Sequence, residues 1–407
     1  SRPHTPVASV RCTGPDRLTM RILQLHARYR IRAGEDTVVD NEAGALRRAG
    51  HTVEQLTANN PTEPAATVAA LARSVHNRSA ARSVRERISA HRPDVVHVHN
   101  TWFALSSAPV AAAANSGVPV VMTLHNFRLG CLGTDLFRDG AVCTACVGRA
   151  PLPGVLHGCY RGSRVLSALQ ATEVVVTRRR GVLNDAVTRF VAPSQFMADR
   201  LADIGVPVER TTVKAHFVDD PGTRTAAPSA SDDILVIGRL APGKGIDTLL
   251  EAWASTTNCV GRRLQIIGDG PLADELAQRL PEGATMLGWQ GRDEIIRRLL
   301  SARALVMPSE LYETFGMTLV EAMSAGLPVI VNTAAGAATI VDPPPELLVP
   351  PAQPTALAAA LDALDDATVD RVGVANRRRF EQHYSEAEGV AALERLYHET
   401  IEAAGRR

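Results

Sequence analysis

The sequence predicts an α/β protein made of two Rossmann-like, doubly wound parallel-sheet domains that face a cleft. Three observations predict it. Short apolar segments of strand composition alternate with helical periods through both halves of the chain. A linker by composition, PGTRTAAPSASDD, separates the halves. The residues with chemical potential follow the ends of predicted strands, where ligands of such sheets bind.

In the first half, MRILQLHA reads as a strand, RYRIRAGED as a loop and TVVDNEAGALRRAGH as a helix ending at Gly50. HTVEQLT is a second strand, 65–91 a helical stretch and PDVVHVHN a buried strand. The helix APVAAAANSG leads to the strand VPVVMTLHN. Residues 130–163 are rich in Gly and Cys and lack a helical period. A helix near 164–185, the strand RFVAPS, the helix QFMADRLADIG and the short strand KAHFVDD complete this half. The second half reads as DILVIGRL (strand), GIDTLLEAWAS (helix), RLQIIGDG (strand), LADELAQRL (helix), ATMLGW (strand), DEIIRRLLSA (helix), ALVMPS (strand), FGMTLVEAMSAG (helix) and LPVIVN (strand). TALAAALDALDD and a last helix near 386–405 finish it. The expected domains are a disordered leader over 1–19, an N-terminal domain over 20–218 with a Cys-rich insert at 130–163, a C-terminal domain over 219–384, and a closing segment over 385–407.

Composition narrows the class. Hydrophobic residues make up 45% of the 407 and aromatics only 4%, so the cores must rest on Ala, Val and Leu. Lys+Arg (44) nearly balances Asp+Glu (43), which excludes a globally basic nucleic-acid binder. No apolar run reaches the roughly 18 residues of a membrane span. Six cysteines in a chain this long do not suggest a secreted disulfide scaffold. A cytoplasmic enzyme is expected. Lysine occurs only at Lys214 and Lys244 among many arginines, so a compact ammonium is expected to matter there.

Gly238-Arg239-Leu240-Ala241-Pro242-Gly243-Lys244-Gly245 follows a strand and precedes a helix. Its glycines permit a tight turn, the helix start presents free N–H groups, and Arg239 with Lys244 suits a diphosphate. The spacing is not that of a Walker loop, because Gly245 follows Lys244. A second motif is Glu313-Thr314-Phe315-Gly316-Met317-Thr318-Leu319-Val320-Glu321, with Thr314 expected to cap the helix. Glu321 sits in a mostly apolar stretch and needs hydrogen-bond partners, which neutral ribose hydroxyls would provide. His125 leaves a strand end toward the same cleft. Gly34 in Ala33-Gly34-Glu35-Asp36 and Gly270 in Gly268-Asp269-Gly270-Pro271 are weaker signals. Pro271 and the missing third glycine argue against a nicotinamide fingerprint.

Taken together, GRLAPGKG, IIGDGP, PSELYETFGMTLVEAMSAGLPVI and His125 resemble the retaining family-4 glycosyltransferases of the GT-B fold. The resemblance runs from Met20 onward and is densest over 234–332. It implies a nucleotide-sugar donor, UDP- or GDP-linked, held by the C-terminal domain. It also implies a last helix that crosses back onto the N-terminal domain. By the same resemblance Arg239 and Lys244 would bind the donor diphosphate and Glu313 would orient the sugar. Phe315 and Gly316 amides would lie near its hydroxyls and phosphate, with Gly238 and Gly270 in the donor-binding loops. Glu321 would take the ribose, His125 would lie near the transferred sugar, and Gly34 would let its loop approach the diphosphate. Two departures stand out: Ala33 replaces a glycine common in relatives, and Ala334-Ala335-Gly336-Ala337-Ala338 lacks the usual Gly-Gly-Glu. No Asp-x-Asp motif serves the diphosphate, so no catalytic metal is required. Rival expectations are a hydrolysing nucleotide-sugar epimerase or phosphorylase, and an inactive nucleotide-sugar-binding partner subunit.

Two regions concern partners. Cys131, Cys143, Cys146 and Cys159 are spaced C-x11-C-x2-C-x12-C, and their flanks are too poor in apolar residues for a core, so a structural zinc is expected. Disulfides and four free thiols are the alternatives. Residues 69–92 carry six arginines and one glutamate, and Arg178-Arg179-Arg180 adds a basic cluster. These offer a peripheral contact to anionic lipid at the inner face of the membrane, or a solvated helix face. The acceptor is a saccharide, a lipid-linked saccharide or a small molecule, with no nucleic acid expected.

Overall fold

The computed structural model describes residues 19–29, 34–60, 74–333 and 336–406. The expected leader, apart from its last residue, lies outside them, as do Ala33, Ala334, Ala335 and the start of the basic stretch. The strands are β1 (Arg21–Arg28), β2 (Thr52–Asn59), β3 (Val95–Asn100), β4 (Val120–Thr123), β5 (Phe137–Arg138), β6 (Ala141–Val142), β7 (Arg189–Ala192), β8 (Thr211–Val213), β9 (Asp233–Ile237), β10 (Arg263–Ile267), β11 (Ala284–Gly288), β12 (Ala304–Met307), β13 (Val329–Asn332) and β14 (Leu348–Val349). One six-stranded parallel sheet has the order β2-β1-β3-β4-β7-β8, the other β11-β10-β9-β12-β13-β14. Strand order reverses between β1 and β3 in the first sheet and between β9 and β12 in the second. These are the switch points beside which a doubly wound sheet opens a crevice.

The central strands are buried along their whole length because helices cover both faces. Val95, Val96 and Val98 of β3 and Val120 and Val121 of β4 are inaccessible, as are Ile234 and Leu235 of β9. Continuous Val/Ile/Leu runs, rather than alternation, are what a parallel sheet requires. Among the described residues no helix is long and apolar enough to cross a membrane.

The two domains are stitched at a double crossing. Phe217 packs in the core of the first domain, whereas its neighbour Val218 packs in the core of the second. The returning strand of chain passes at Tyr384, whose carbonyl accepts from the Val218 amide at 3.3 Å. Ser385 then caps the helix Glu386–Gly405. Val390, Leu393, Leu396 and Tyr397 of that helix pack with Met20, Ile22, Leu46, Val95 and Val121 of the first domain. Its outer edge is tied by Arg48 to Glu386 and by His51 to Glu394.

Several elements differ from expectation. The first helix is Gly34–Arg48, starting three residues early, so Gly34 itself opens it. Lys214 and His216 lie beyond β8 rather than in a strand. The helix Asp366–His383 has no counterpart in the sequence reading. Its buried face holds Gly373 and Asn376 among apolar residues, which blurs the helical stripe. Both are small or polar because they meet backbone. A Cβ on Gly373 would lie 2.4 Å from the Gly326 carbonyl oxygen, and Asn376 donates to the Leu327 carbonyl at 2.7 Å. Arg178 is drawn into structure: its guanidinium donates to the Arg149 carbonyl at 3.0 Å and to the Leu129 carbonyl, fastening the Cys-rich insert.

Gly389 tests the crossing. A Cβ there would lie 2.0 Å from Cδ1 of the buried Phe217 ring. Gly→Ala in a helix interior normally gains about 1 kcal/mol, whereas overpacking a core costs about 1–3 kcal/mol. Gly389→Ala should therefore lower stability despite better helix propensity. A thermal midpoint equal to or above the parent's would contradict this packing account.

Candidate functional site at the interdomain cleft

The carboxyl ends of β1, β4, β9 and β12 converge on one cavity of about 390 Å³. Its C-terminal-domain wall is formed by Gly238, Arg239, Lys244, Ser309, Glu313 and Phe315 through Thr318. The opposite wall carries Tyr29, Gly34, Glu35, His125, Asn126 and His216. Thr134 and Asp135 of the Cys-rich insert close one side.

The glycine loop after β9 is shaped by contact with β12. Gly245 has φ +67° and caps the helix Ile246–Ala254. A Cβ at Gly245 would sit 2.0 Å from the Pro308 carbonyl oxygen. That contact demands glycine after Lys244, where a Walker loop has a hydroxyl residue. Lys244 Nζ lies 2.5 Å from Glu313 Oε1, and Ser309 Oγ donates to the same oxygen at 2.8 Å. Burial pushes the Glu313 carboxyl up, but the ammonium and the Ser309 hydroxyl outweigh it and hold the carboxyl below its usual range. Burial likewise pulls Lys244 down, and Glu313 outweighs that, so the amine stays protonated above its usual range. Arg239 is exposed at the mouth.

The helix Met317–Ser324 begins at Gly316, which has φ +85° and provides no side-chain cap. Thr314 is therefore not the cap that the sequence suggests. Its hydroxyl donates to the His125 carbonyl at 3.0 Å, and its own carbonyl accepts from Ser194 Oγ at 2.7 Å. Thr314 is a clasp between domains, and Gly316, Met317 and Thr318 at the uncapped start of the helix line the cavity.

Gly34 faces the C-terminal domain: a Cβ there would be 3.8 Å from Met317 Cγ. Glu321 lies further along the helix, beyond the cavity lining. Its neighbour is a cation, Arg292, at 3.7 Å, rather than the uncharged setting expected from sequence. Burial nonetheless leaves its carboxyl raised. Gly270 does not line the cavity either. Its Cβ would collide with the Leu240 carbonyl oxygen at 2.2 Å, so glycine there lets two loops lie together.

Among the described residues, Cys131, Cys143, Cys146 and Cys159 form no disulfide. Burial raises the thiols of Cys131, Cys146 and Cys159, and the last two also feel Cys143. The insert also contains a hairpin of β5 and β6 that reaches the glycine loop after β9. A Cβ on Gly243 would lie 2.8 Å from Phe137 Cε1.

Sequence reasoning missed His216 and the histidines behind His125, and singled out Lys214 without its partner. His216 stacks on His125 with ring centroids 5.0 Å apart and meets the Phe315 ring edge-on at 5.0 Å. Its position just past a strand end was the available signal. Lys214 was visible as one of two lysines, but its partner, Glu42, is brought to it only by folding.

Two facing parallel-sheet domains with an anion-suited cavity between their switch points define a GT-B protein. The model described as "Glycosyltransferase Family 4" matches residues 33–220, and that described as "Glycosyl transferases group 1" matches residues 231–366. The chain belongs to family 4 of the glycosyltransferases. It is 33% identical over 159 residues to the GDP-mannose-dependent alpha-mannosyltransferase of Corynebacterium glutamicum, covering 36% of this chain and 37% of that one. It is 29% identical over 297 residues to the alpha-D-kanosaminyltransferase of Streptomyces kanamyceticus, covering 69% of this chain and 70% of the relative. Sucrose-phosphate synthase from Thermosynechococcus elongatus shares the fold, with a TM-score of 0.68 at 18% identity over 94% of this chain and all of that one. HepE from Anabaena, solved with UDP and glucose, does so at 0.64 and 17%, over 93% of this chain and 99% of that one.

Burial sets the protonation of the histidine wall. It depresses His97 to about 4, and His99, His125 and His216 well below the ordinary 6.5. The folded chain thus stays neutral at these rings while the unfolded chain takes up protons below 6.5. Stability is fully present above that pH and is lost as pH falls toward the folded values. His97 alone should remove about 3 kcal/mol between pH 6.5 and 4. Denaturant midpoints should fall steadily from pH 7 to pH 5, and a flat profile would contradict the neutral wall.

Proposed function

We propose that this chain is a retaining glycosyltransferase. It moves a hexosyl group from a UDP- or GDP-linked sugar to an acceptor hydroxyl, in synthesis of a cell-surface polysaccharide, a glycolipid or a glycosylated metabolite. One observation carries the reading: Arg239, Lys244 and the helix start at Gly316 to Thr318 share a cavity wall opposite His125. The barrier to transfer lies in breaking the anomeric C–O bond while the diphosphate gains charge. Preorganised cations and N–H groups in a cleft shielded from water oppose that charge as it develops.

Within this reading Glu313, held in place by Lys244 and Ser309, orients the donor sugar by accepting from its hydroxyls. Glu321 accepts from the ribose, with Arg292 beside it. Gly34, Gly238 and Gly270 keep the surrounding loops close, and Phe315 and Gly316 present backbone to sugar and phosphate. No covalent nucleophile is assigned, and no catalytic metal is required of these residues. The relatives support the donor class through their names: one is GDP-mannose-dependent, and HepE was solved with UDP. The acceptor enters from the side walled by Tyr29, Asn126 and the Cys-rich insert. The proposed compartment is the cytoplasm, at the inner face of the cell membrane where the acceptor is lipid-linked.

Lys244→Ala and Arg239→Ala should each lower turnover at least about a hundredfold with the fold retained, since one lost donor to developing charge costs about 2.7–4 kcal/mol. Transfer assays across a panel of nucleotide sugars test this; wild-type turnover in both variants would refute the assignment.

A structural zinc at Cys143, Cys146 and Cys159, completed by Cys131, is part of the proposal. Its support is the mutual effect of these thiols on one another and the sparse apolar content of their flanks. Protein purified without chelator should carry about one zinc per chain, lost when Cys143→Ser is combined with Cys146→Ser. Metal-free, fully active protein would end the idea.

A further inference from the structure

Behind His125 lies a buried polar chain that the transfer chemistry above does not use. His125 Nε2 is 3.1 Å from His99 Nδ1. The His99 ring lies against His97, with centroids 4.2 Å apart. Beyond them Glu42, on the first helix, holds Lys214 Nζ at 2.5 Å from Oε1. All four of Glu42, His97, His99 and Lys214 are buried. Two atoms in this group have no hydrogen bond among the described residues: Glu42 Oε2 and His99 Nε2. They face one another at 3.6 Å.

The remaining contacts bear on where the protons lie. His97 cannot serve Glu42 Oε2, although Nδ1 is 3.8 Å away. Its Nδ1 is paired with Tyr397 OH at 2.8 Å, and its Nε2 with Thr123 Oγ1 at 2.8 Å. A carboxylate paired with an ammonium only accepts hydrogen bonds. The carboxylate oxygen, 3.6 Å away, would repel a lone pair on His99 Nε2, so the neutral imidazole is assigned its proton there. His99 Nδ1 is left as the acceptor, so His125 donates to it from Nε2. That leaves His125 Nδ1 as a lone-pair nitrogen on a ring that lines the cleft. Glu42, His97 and His99 also have the spacing of a metal triad. The Lys214 ammonium already neutralises the carboxylate, so a second cation there would meet like charge at close range.

We infer that Glu42, with its Lys214 partner, acts through His99 as a positioning device that holds His125 in its Nε2–H tautomer and presents Nδ1 as a hydrogen-bond acceptor to a hydroxyl of the bound sugar or acceptor. The inference rests on the glycosyltransferase reading for the identity of that hydroxyl, but not for the proton positions. The chain runs through the double crossing, since Lys214 lies three residues before Phe217 and Tyr397 belongs to the crossing helix. Placement of His125 is thereby tied to the packing that sets the two domains against each other.

The test is the tautomer itself, read without donor. Side-chain nitrogen–proton correlation spectra of 15N-labelled protein at pH 7, assigned with His99→Gln and His125→Gln, should show both rings neutral with the proton on Nε2. A proton on Nδ1 of His125, or a charged ring, overturns the inference. Glu42→Met with Lys214→Met removes acceptor and cation together, leaving no unpaired charge. It should give His125 a mixture of tautomers and lower kcat at least about tenfold with little change in donor KM. Glu42→Gln with Lys214→Met should restore both, because an amide oxygen still faces His99 Nε2 and favours a proton there. Unchanged tautomer and kcat in the double methionine variant, or no recovery with glutamine, also overturns it. Should the methionine variant not fold, the wild-type spectrum still decides. Because the spectrum needs no nucleotide sugar, its outcome is separate from that of the transfer assays.

Discussion

The carboxyl ends of two independent sheets must look into the same gap, and the chain's return across that gap is what holds them there. Phe217 and Val218 take the chain out of one core and into the next within a single peptide bond. Tyr384 and Ser385 bring it back, and the final helix is buried against β1, β3 and β4 by Val390, Leu393, Leu396 and Tyr397. Without that return the cation-bearing loop after β9 and the histidine after β4 would belong to separate bodies. Thr314, bonded to both Ser194 and the His125 carbonyl, shows how close the walls come when the crossing is in place.

The two lysines make a common point about charge in this chain. Each pairs with a carboxylate, one part-buried at the cleft wall and one buried in the core of the N-terminal domain. Such pairs add little net stability, since desolvation offsets much of the attraction. Their effect is directional. Lys244 and Ser309 keep Glu313 ionised and oriented at the cleft wall. Lys214 leaves one oxygen of Glu42 free to face His99. Several arginines, by contrast, fasten backbone: Arg224 binds the carbonyls of Leu299 and Ala302, and Arg303 those of Ser229, Ser231 and Leu364. A planar fork with five donors suits carbonyl groups at helix ends, whereas a compact ammonium suits one carboxylate.

The Cys-rich insert joins an otherwise regular scaffold to the site. It follows β4 through His125, contributes Thr134 and Asp135 to the cavity, and brings Phe137 against the loop that carries Lys244. Its glycines and cysteines reflect a segment too short of apolar residues to build its own core. What it has instead is the wall it leans on and Arg178, which reaches in from the following helix.

The sequence by itself determined the alternation of strands and helices, the linker between halves, the strand-end placement of His125, and the paired motifs around Lys244 and Glu313. All of these are local: a periodicity, a turn residue or a spacing within a few residues along the chain. Tertiary structure alone decided the rest. It turned Thr314 from a presumed cap into a clasp, gave Glu321 an arginine neighbour, and assigned Gly270 to loop packing. It also revealed Asp366–His383 as a helix whose Gly373 and Asn376 meet backbone. It gathered His97, His99, His125, His216, Glu42 and Lys214 from four separated stretches of chain. Such a cluster leaves no periodic trace in the sequence, because its members are related through sheet register and domain crossing rather than through distance along the chain.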